Sequence, residues 1–172
     1  MGEGRSHWSS MVLRKSQTCF SDRHTHPNSM YSNFCHVLKA YLQNTRTVDI
    51  ARLCLILPFL LDDRIVMYLA KISNEESKSL ESIIDERPKL FMSFNKRYVS
   101  LLPITINSTL LLHKNEQIEI SANEIFAKTD FIYGETDMGN RFEKIKEVIP
   151  FLATVFSRYS TIQLYKILKV QL

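Results

Sequence analysis

Nine apolar residues in a row, Leu53-Cys54-Leu55-Ile56-Leu57-Pro58-Phe59-Leu60-Leu61, are followed at once by Asp62-Asp63-Arg64. A stretch of this kind has no polar side to turn to water, so a fold that contains it must surround it. It is too short to cross a bilayer, which takes roughly 20 apolar residues in a helix. Pro58 lacks a backbone donor and crowds the turn before it, so a helix through the run is broken or kinked. The run belongs at the centre of a core or against a partner, and the rest of the chain has to supply the walls.

Those walls are legible as helices. Phe34, Leu38, Tyr41 and Leu42 follow the i, i+4, i+7, i+8 spacing of an amphipathic helix that Asn44 and Thr45 end. Asp49 is a plausible N-cap for a helix carrying Ile50, Leu53, Cys54 and Leu57, and helical character resumes from Leu60 to Ile72 through Leu61, Ile65, Tyr68 and Leu69. Ser73-Asn74-Glu75-Glu76 has the form of a capping box, predicting a short helix with Leu80, Ile83 and Ile84. Pro88 suits the first turn of a helix reaching about Leu101. Pro103 is expected to force a turn, with Thr105 capping a helix from Ile106 to Lys114 that Asn115 ends.

Gln117-Ile118-Glu119-Ile120 then alternates at period two, Ala122-Asn123 reads as a turn, and Ile125-Phe126 as a weaker strand. A helix from Asp137 through Phe142, Ile145, Ile149 and Leu152 is expected to bend at Pro150. A last helix starts after Ser160, where Gln163 completes a capping box. The expected fold is mainly α with a small β-hairpin: a winged-helix-like unit followed by C-terminal helices, a single domain over residues 30–172. Residues 1–29, rich in Ser, His, Arg and Gly, read as a mobile N-terminal extension, and Met30 is a candidate start. Arg5, Arg14, Lys15 and Arg23 against Glu3 and Asp22 leave only +2 there, thin support for a basic arm that docks on nucleic acid or a partner.

The 172 residues carry 45% hydrophobic and 23% charged side chains and a net charge of +4, ordinary for a soluble chain. Much of that charge sits at the C-terminal end, where Arg141, Lys144, Lys146, Arg158, Lys166 and Lys169 face only Glu143 and Glu147. Cys19, Cys35 and Cys54 are unpaired in spacing, and no apolar leader is visible, so a reduced, cytoplasmic setting is expected. In such a setting the triplet Asn107-Ser108-Thr109 is a chance glycosylation match.

Catalytic chemistry finds little support. Cys19, His24, His26 and Cys35 or His36 include zinc-type ligands but lack paired spacing, so no metal is expected. Asp62 and Asp63 point about 100° apart on a helix, with no acid or histidine at i+3 or i+4, so capping is the simpler role. No nucleophile elbow or Cys-His pair appears, and glycines at 2, 4, 134 and 139 form no phosphate loop. No cofactor and no small-molecule substrate are expected. As a DNA reader the Ile106–Lys114 helix offers Asn107 and Lys114 at its ends with three leucines between, and Glu116 and Glu119 of the wing repel phosphate. A winged unit used for protein contacts fits better than a stand-alone DNA-binding regulator.

Three blocks, taken in order, resemble a known family. They are the Phe34–Leu42 helix with Leu55-Ile56-Leu57-Pro58-Phe59-Leu60-Leu61; Leu102-Pro103-Ile104-Thr105 leading into Leu110–His113 and Gln117–Ile120; and the Lys144–Tyr159 helix closed by Ser160-Thr161-Ile162-Gln163-Leu164-Tyr165-Lys166-Ile167-Leu168-Lys169-Val170. The chain is identified as similar to the middle component of three-component ABC-ATPase (ABC-3C) systems, related to the small subunit of Lamassu-type anti-phage and anti-plasmid defence. It departs from that pattern at Asn33-Phe34, where Asn-Pro is expected, and at Lys114-Asn115, where a glycine is expected. The resemblance implies a non-catalytic adaptor domain bridging an SMC- or Rad50-like ABC ATPase to an effector nuclease, with DNA contacted indirectly or weakly through its backbone and no membrane partner. Candidate interface positions are Leu60, Asp62, Asp63 and Arg64 at the end of the apolar run, and Arg158, Thr161, Leu164 and Lys166 around the closing motif.

Overall fold

Helix α1 (Asn28–Thr45) turns the expected stripe of Leu38, Tyr41 and Leu42 inward, and Cys35, Val37 and Ala40 widen it. The computed structural model describes residues 28–75, 77–128 and 139–171. Residues 1–27 with Cys19, His24 and His26, and the expected helix start at Asp137, lie outside them. Asn44 and Thr45 end α1 as expected, their side chains donating to the Ala40 and Tyr41 carbonyls at 3.0 and 3.3 Å. Arg46 then adopts a φ of 63° and donates to Leu42 O at 2.8 Å, turning the chain out of the helix.

The next three residues form a strand that period-two reading overlooks, β1 (Thr47–Asp49). Asp49 also caps α2 (Ile50–Leu53), accepting from Arg52 N at 2.7 Å. The apolar run breaks one turn before its proline: α2 stops at Cys54 and α3 (Ile56–Leu60) begins after Leu55. Cys54 carries the carbonyl that the Pro58 ring would strike in a continuous helix. Within α3, Pro58 occupies the first turn, where no intrahelical donor is required.

Leu61 ends α3, and Asp62 caps α4 (Asp63–Ile72), accepting from Arg64 N at 3.0 Å. The helix expected to start at Ser73 starts later. Ser73 closes α4 and donates to Ala70 O, whereas Ser79 caps α5 (Leu80–Glu86) through Ser82 N at 3.1 Å. Ser79 stands directly before the buried Leu80 and Ile83, so a cap there sets the register that buries them.

Pro88 opens a helix as expected, but α6 (Pro88–Phe91) is a single turn. The larger correction is α7 (Phe94–Lys114), which runs unbroken through Pro103 where a turn and a second helix were predicted. A proline inside a helix costs about 3 kcal/mol. Here packing on both sides offsets it: Phe94 and Tyr98 before, Thr105, Thr109 and Leu112 after, all buried in one core. Pro103 itself is exposed.

The expected hairpin forms as β2 (Ile118–Ser121) and β3 (Glu124–Ala127), with Ala122 at a φ of 52° in the turn. β1 adds to it antiparallel, in the order β1-β3-β2, pairing Val48 with Ile125, which in turn pairs with Ile120. Gly139, at a φ of 79°, leads into α8 (Asn140–Ser157), which continues through Pro150. Ser160 and Gln163 form the anticipated capping box on α9 (Thr161–Ile167). The protein is thus mainly helical with one small antiparallel sheet.

Helix α3 is the hub. Ile56, Leu57, Phe59 and Leu60 are fully buried, and α1, α4 and α7 pack around it. Phe59 meets Phe94, Phe156 and Phe91 with ring centroids at 4.9, 5.2 and 5.8 Å. Phe59→Ala is therefore expected to cost about 3–5 kcal/mol, read as a lower urea midpoint at unchanged slope, whereas Met92→Ala at an exposed position stays within about 0.5 kcal/mol.

Candidate interaction surfaces

The segment between α8 and α9 ties distant parts of the chain together through polar contacts. Arg52, on α2, spreads its guanidinium over three acceptors: Tyr159 O at 2.6 Å, Thr161 Oγ1 at 3.3 Å and Phe156 O at 3.4 Å. The Thr161 hydroxyl donates onward to Asp49 Oδ2 at 2.6 Å, so the carboxylate that caps α2 also holds the start of α9. The Tyr159 hydroxyl accepts from Leu80 N at 3.0 Å and donates to the Glu81 carboxylate, fixing the start of α5. Arg158 donates to Lys78 O at 3.1 Å. Tyr165 donates to Ala51 O at 2.9 Å and lies 3.0 Å, hydroxyl to hydroxyl, from Tyr98 of α7. Burial and these neighbours push the Tyr165 phenol well above the ordinary tyrosine range, so it stays a neutral donor.

A second polar knot sits at the end of the apolar run. Asp62 is buried and accepts from Arg64 Nη2 at 2.8 Å and Arg97 Nη1 at 2.9 Å. Arg97 also donates to Ser93 Oγ and Leu90 O, anchoring α7 to α6. The Arg64 hydrogen bonds hold the Asp62 carboxyl below its ordinary value of 3.8, against burial and with help from Arg97. Asp63 points elsewhere, pairing with Arg141 at 2.7 Å, while Arg141 also donates to Leu61 O at 3.0 Å. The two aspartates therefore serve different partners and share no ligand.

Of the predicted interface positions, Leu60 and Leu164 are wholly inside the core and Asp62 is buried beside Arg97, so none of the three offers a side chain to solvent. Asp63, Arg64, Arg158 and Lys166 are exposed and Thr161 is half-buried. They fall in two groups, one at the α3–α4 junction and one at the α8–α9 turn. Sequence reading missed Arg52, Arg97 and Tyr159, whose partners lie tens of residues away; the capping signal at Asp49 pointed to the neighbourhood of Arg52 alone.

Two of the grooves among the described residues border these groups. One, about 490 Å³, is bordered by Asn44, Asp49, Arg52, Glu124, Thr154 and Ser157, and the cation lining it is already committed to the contacts above. The other, about 300 Å³, runs between α4 and α6 past Arg64, Met67, Tyr68, Lys71, Arg87 and Leu90, with Arg87 lying 5.8 Å from the Tyr68 ring centroid. Helix α7, whose Ile106–Lys114 part is poorly suited to reading DNA, exposes Val99, Ile106 and Leu110. Among the described residues no group of three His, Cys, Asp or Glu side chains is placed to hold a metal ion, and no helix is long and apolar enough to cross a membrane. Cys35 and Cys54 are buried free thiols. Burial raises both, Cys54 to about 11, so neither is a nucleophile at neutral pH.

A family model described as ABC-three component (ABC-3C) system Middle Component 3 matches residues 31–172. That match takes in both polar knots, the hub helix and the sheet. No curated protein matches the chain, and no solved structure does.

Two outcomes test the knots. Thr161→Val removes the donor to Asp49 and the acceptor for Arg52, and is expected to cost about 1–3 kcal/mol; hydrogen exchange should accelerate in α9 before α1. For Asp62, a folded pKa below 3.8 means its contribution is fully present above that value and is lost as pH falls through the lower folded one. Asp62→Asn should therefore lower the urea midpoint at neutral pH and flatten its decline on the acid side.

Proposed function

We propose that this chain, which belongs to the Middle Component 3 family of ABC-3C systems, is a non-catalytic adaptor in a bacterial defence complex. It bridges an SMC- or Rad50-like ATPase to an effector nuclease that acts on invading phage or plasmid DNA, as the small subunit of a Lamassu-type system would. The observation that carries this reading is the family match over residues 31–172, which covers the hub helix, both polar knots and the closing motif. A middle component by its name has neighbours on either side. The chemistry agrees with a connecting role: the buried thiols are raised, the carboxylates at the α3–α4 junction are committed to arginines, and the large exposed side chains include Met67, Met92, Val99, Ile106, Leu110 and Ile162. In this reading the chain works in the cytoplasm. Arg64, Arg158 and Lys166 are its exposed charged contacts, and DNA is met through the assembly or by weak backbone contacts.

A stand-alone winged-helix regulator would need α7 to carry hydrogen-bonding side chains along its exposed side. The middle of that side is instead the aliphatic row of Val99, Ile106 and Leu110, with Lys96, Asn107 and Lys114 spaced along its edge, and the adjoining strands expose Glu119 and Glu124. The test is co-purification of the tagged full chain with the other two components of its system, with duplex DNA offered in parallel. Retention of both components is expected. A chain that retains neither, and binds one DNA sequence by itself, sinks the adaptor reading.

A further inference from the structure

Helix α7 has two apolar sides, and the fold uses one. Phe94, Tyr98, Thr105, Ser108 and Leu112 face the core. Roughly opposite, at 100° per residue, lie Val99, Pro103, Ile106 and Leu110, all exposed. Val99, Ile106 and Leu110 keep 50%, 44% and 53% of their surface open to solvent. Their spacing, i, i+4, i+7 and i+11, is the alternating four-and-three step by which one helix lays its seam along another. Over three turns this is about 16 Å of seam that stands open among the described residues, at 1.5 Å per residue.

Charge tells what covers it. From Arg87 to Lys114 the chain has Arg87, Lys89, Lys96, Arg97 and Lys114 and no acid. Arg97 is answered by Asp62 inside the protein. Lys96 and Lys114 are exposed and flank the seam on one side, one near each end. A second copy is a poor occupant. Antiparallel pairing centred on the seam sets Val99 against Leu110 and brings Lys96 of one copy beside Lys114 of the other, while parallel pairing offers the lysines no acid, since α7 has none. Duplex DNA is poor too, because the middle of the seam would press large aliphatic side chains against phosphate.

We infer that the Val99–Pro103–Ile106–Leu110 seam of α7 is the docking site for an amphipathic helix of another component of the system, apolar at three-and-four spacing and flanked by Asp or Glu. This rests on the adaptor reading and names the surface and partner chemistry it requires. Oppositely charged rims fix the register and speed association, and the apolar seam sets the residence time.

The test uses the full chain co-expressed with the other two components, with p-benzoylphenylalanine placed at Val99, Ile106 or Leu110 in turn. Expected are adducts on one component, stepping along a single segment by three or four residues, with acidic neighbours. The double variant Ile106→Asp/Leu110→Asp should keep the thermal midpoint of the parent within a few degrees and weaken that association at least about 30-fold. Lys96→Glu/Lys114→Glu should weaken it several-fold at low salt and little at high salt. Adducts on a second copy or on DNA overturn the inference. So does intact assembly by a folded Ile106→Asp/Leu110→Asp chain, which would leave the adaptor reading standing. Should the aspartates unfold the chain, the adduct pattern and the charge reversal decide. A parent chain that associates with neither component removes the adaptor reading itself, and the seam with it.

Discussion

The structure depends on burying one short helix on every side. Helix α3 has no polar face: Ile56, Leu57, Phe59 and Leu60 all need cover, and so do Leu53 and Leu55 just before it. A helix that is apolar all round is stable only when surrounded. That demand explains the order of the remaining elements. α1 and α7 are long enough to run past the hub, α4 leaves its end, and Phe156 of α8 reaches Phe59 from another direction. Pro58 helps by dividing the apolar run, so that α2 turns Arg52 outward to the closing segment while α3 turns wholly inward.

Apolar burial sets where the helices go but leaves the ends of the chain to be tied. The α8–α9 segment does this with directional contacts. One guanidinium satisfies two carbonyls and a hydroxyl, and that hydroxyl satisfies the carboxylate capping α2. Each member already serves a second partner, so the network holds α9 in one position where Leu164 and Leu168 drop into the core. The threonine in the closing motif is thus explained by folding. It is a latch, and its presence in a family-like pattern requires no chemistry beyond that.

What could be read in advance was what lies within a turn or two of itself. The Asp49 cap, the Ser160–Gln163 box, the Ala122 turn and the buried apolar run are all local, and all stand where their spacing put them. Ser73 misled because a serine–glutamate spacing carries no information on which serine precedes a residue that must be buried; Ser79 does. Pro103 misled because its cost is local while the packing that offsets it, Phe94 and Tyr98 on one side and Leu112 on the other, is not. β1 is three residues long, too short for alternation to register, and owes its form to β3 some 77 residues later. The Arg97–Asp62 and Arg52–Tyr159 contacts pair residues 35 and 107 apart, beyond any periodicity.

Helix α7 shows why the exposed seam was hidden as well. Its sequence mixes two stripes, one for the core and one for solvent, so leucines 110, 111 and 112 look like a single apolar patch. Only the packing of Phe94, Tyr98 and Leu112 fixes which side is spent, and the remainder then has a definite phase. Pro103 lies in that remainder. Inside a helix a proline ring crowds the carbonyl four residues back, here that of Val99, whichever face it takes; Pro103 stands on the exposed face, apart from the buried Tyr98, Thr105 and Leu112. The residue expected to end α7 is therefore carried within a continuous helix by the buried packing on either side of it, and its exposed face is the one proposed above for a partner.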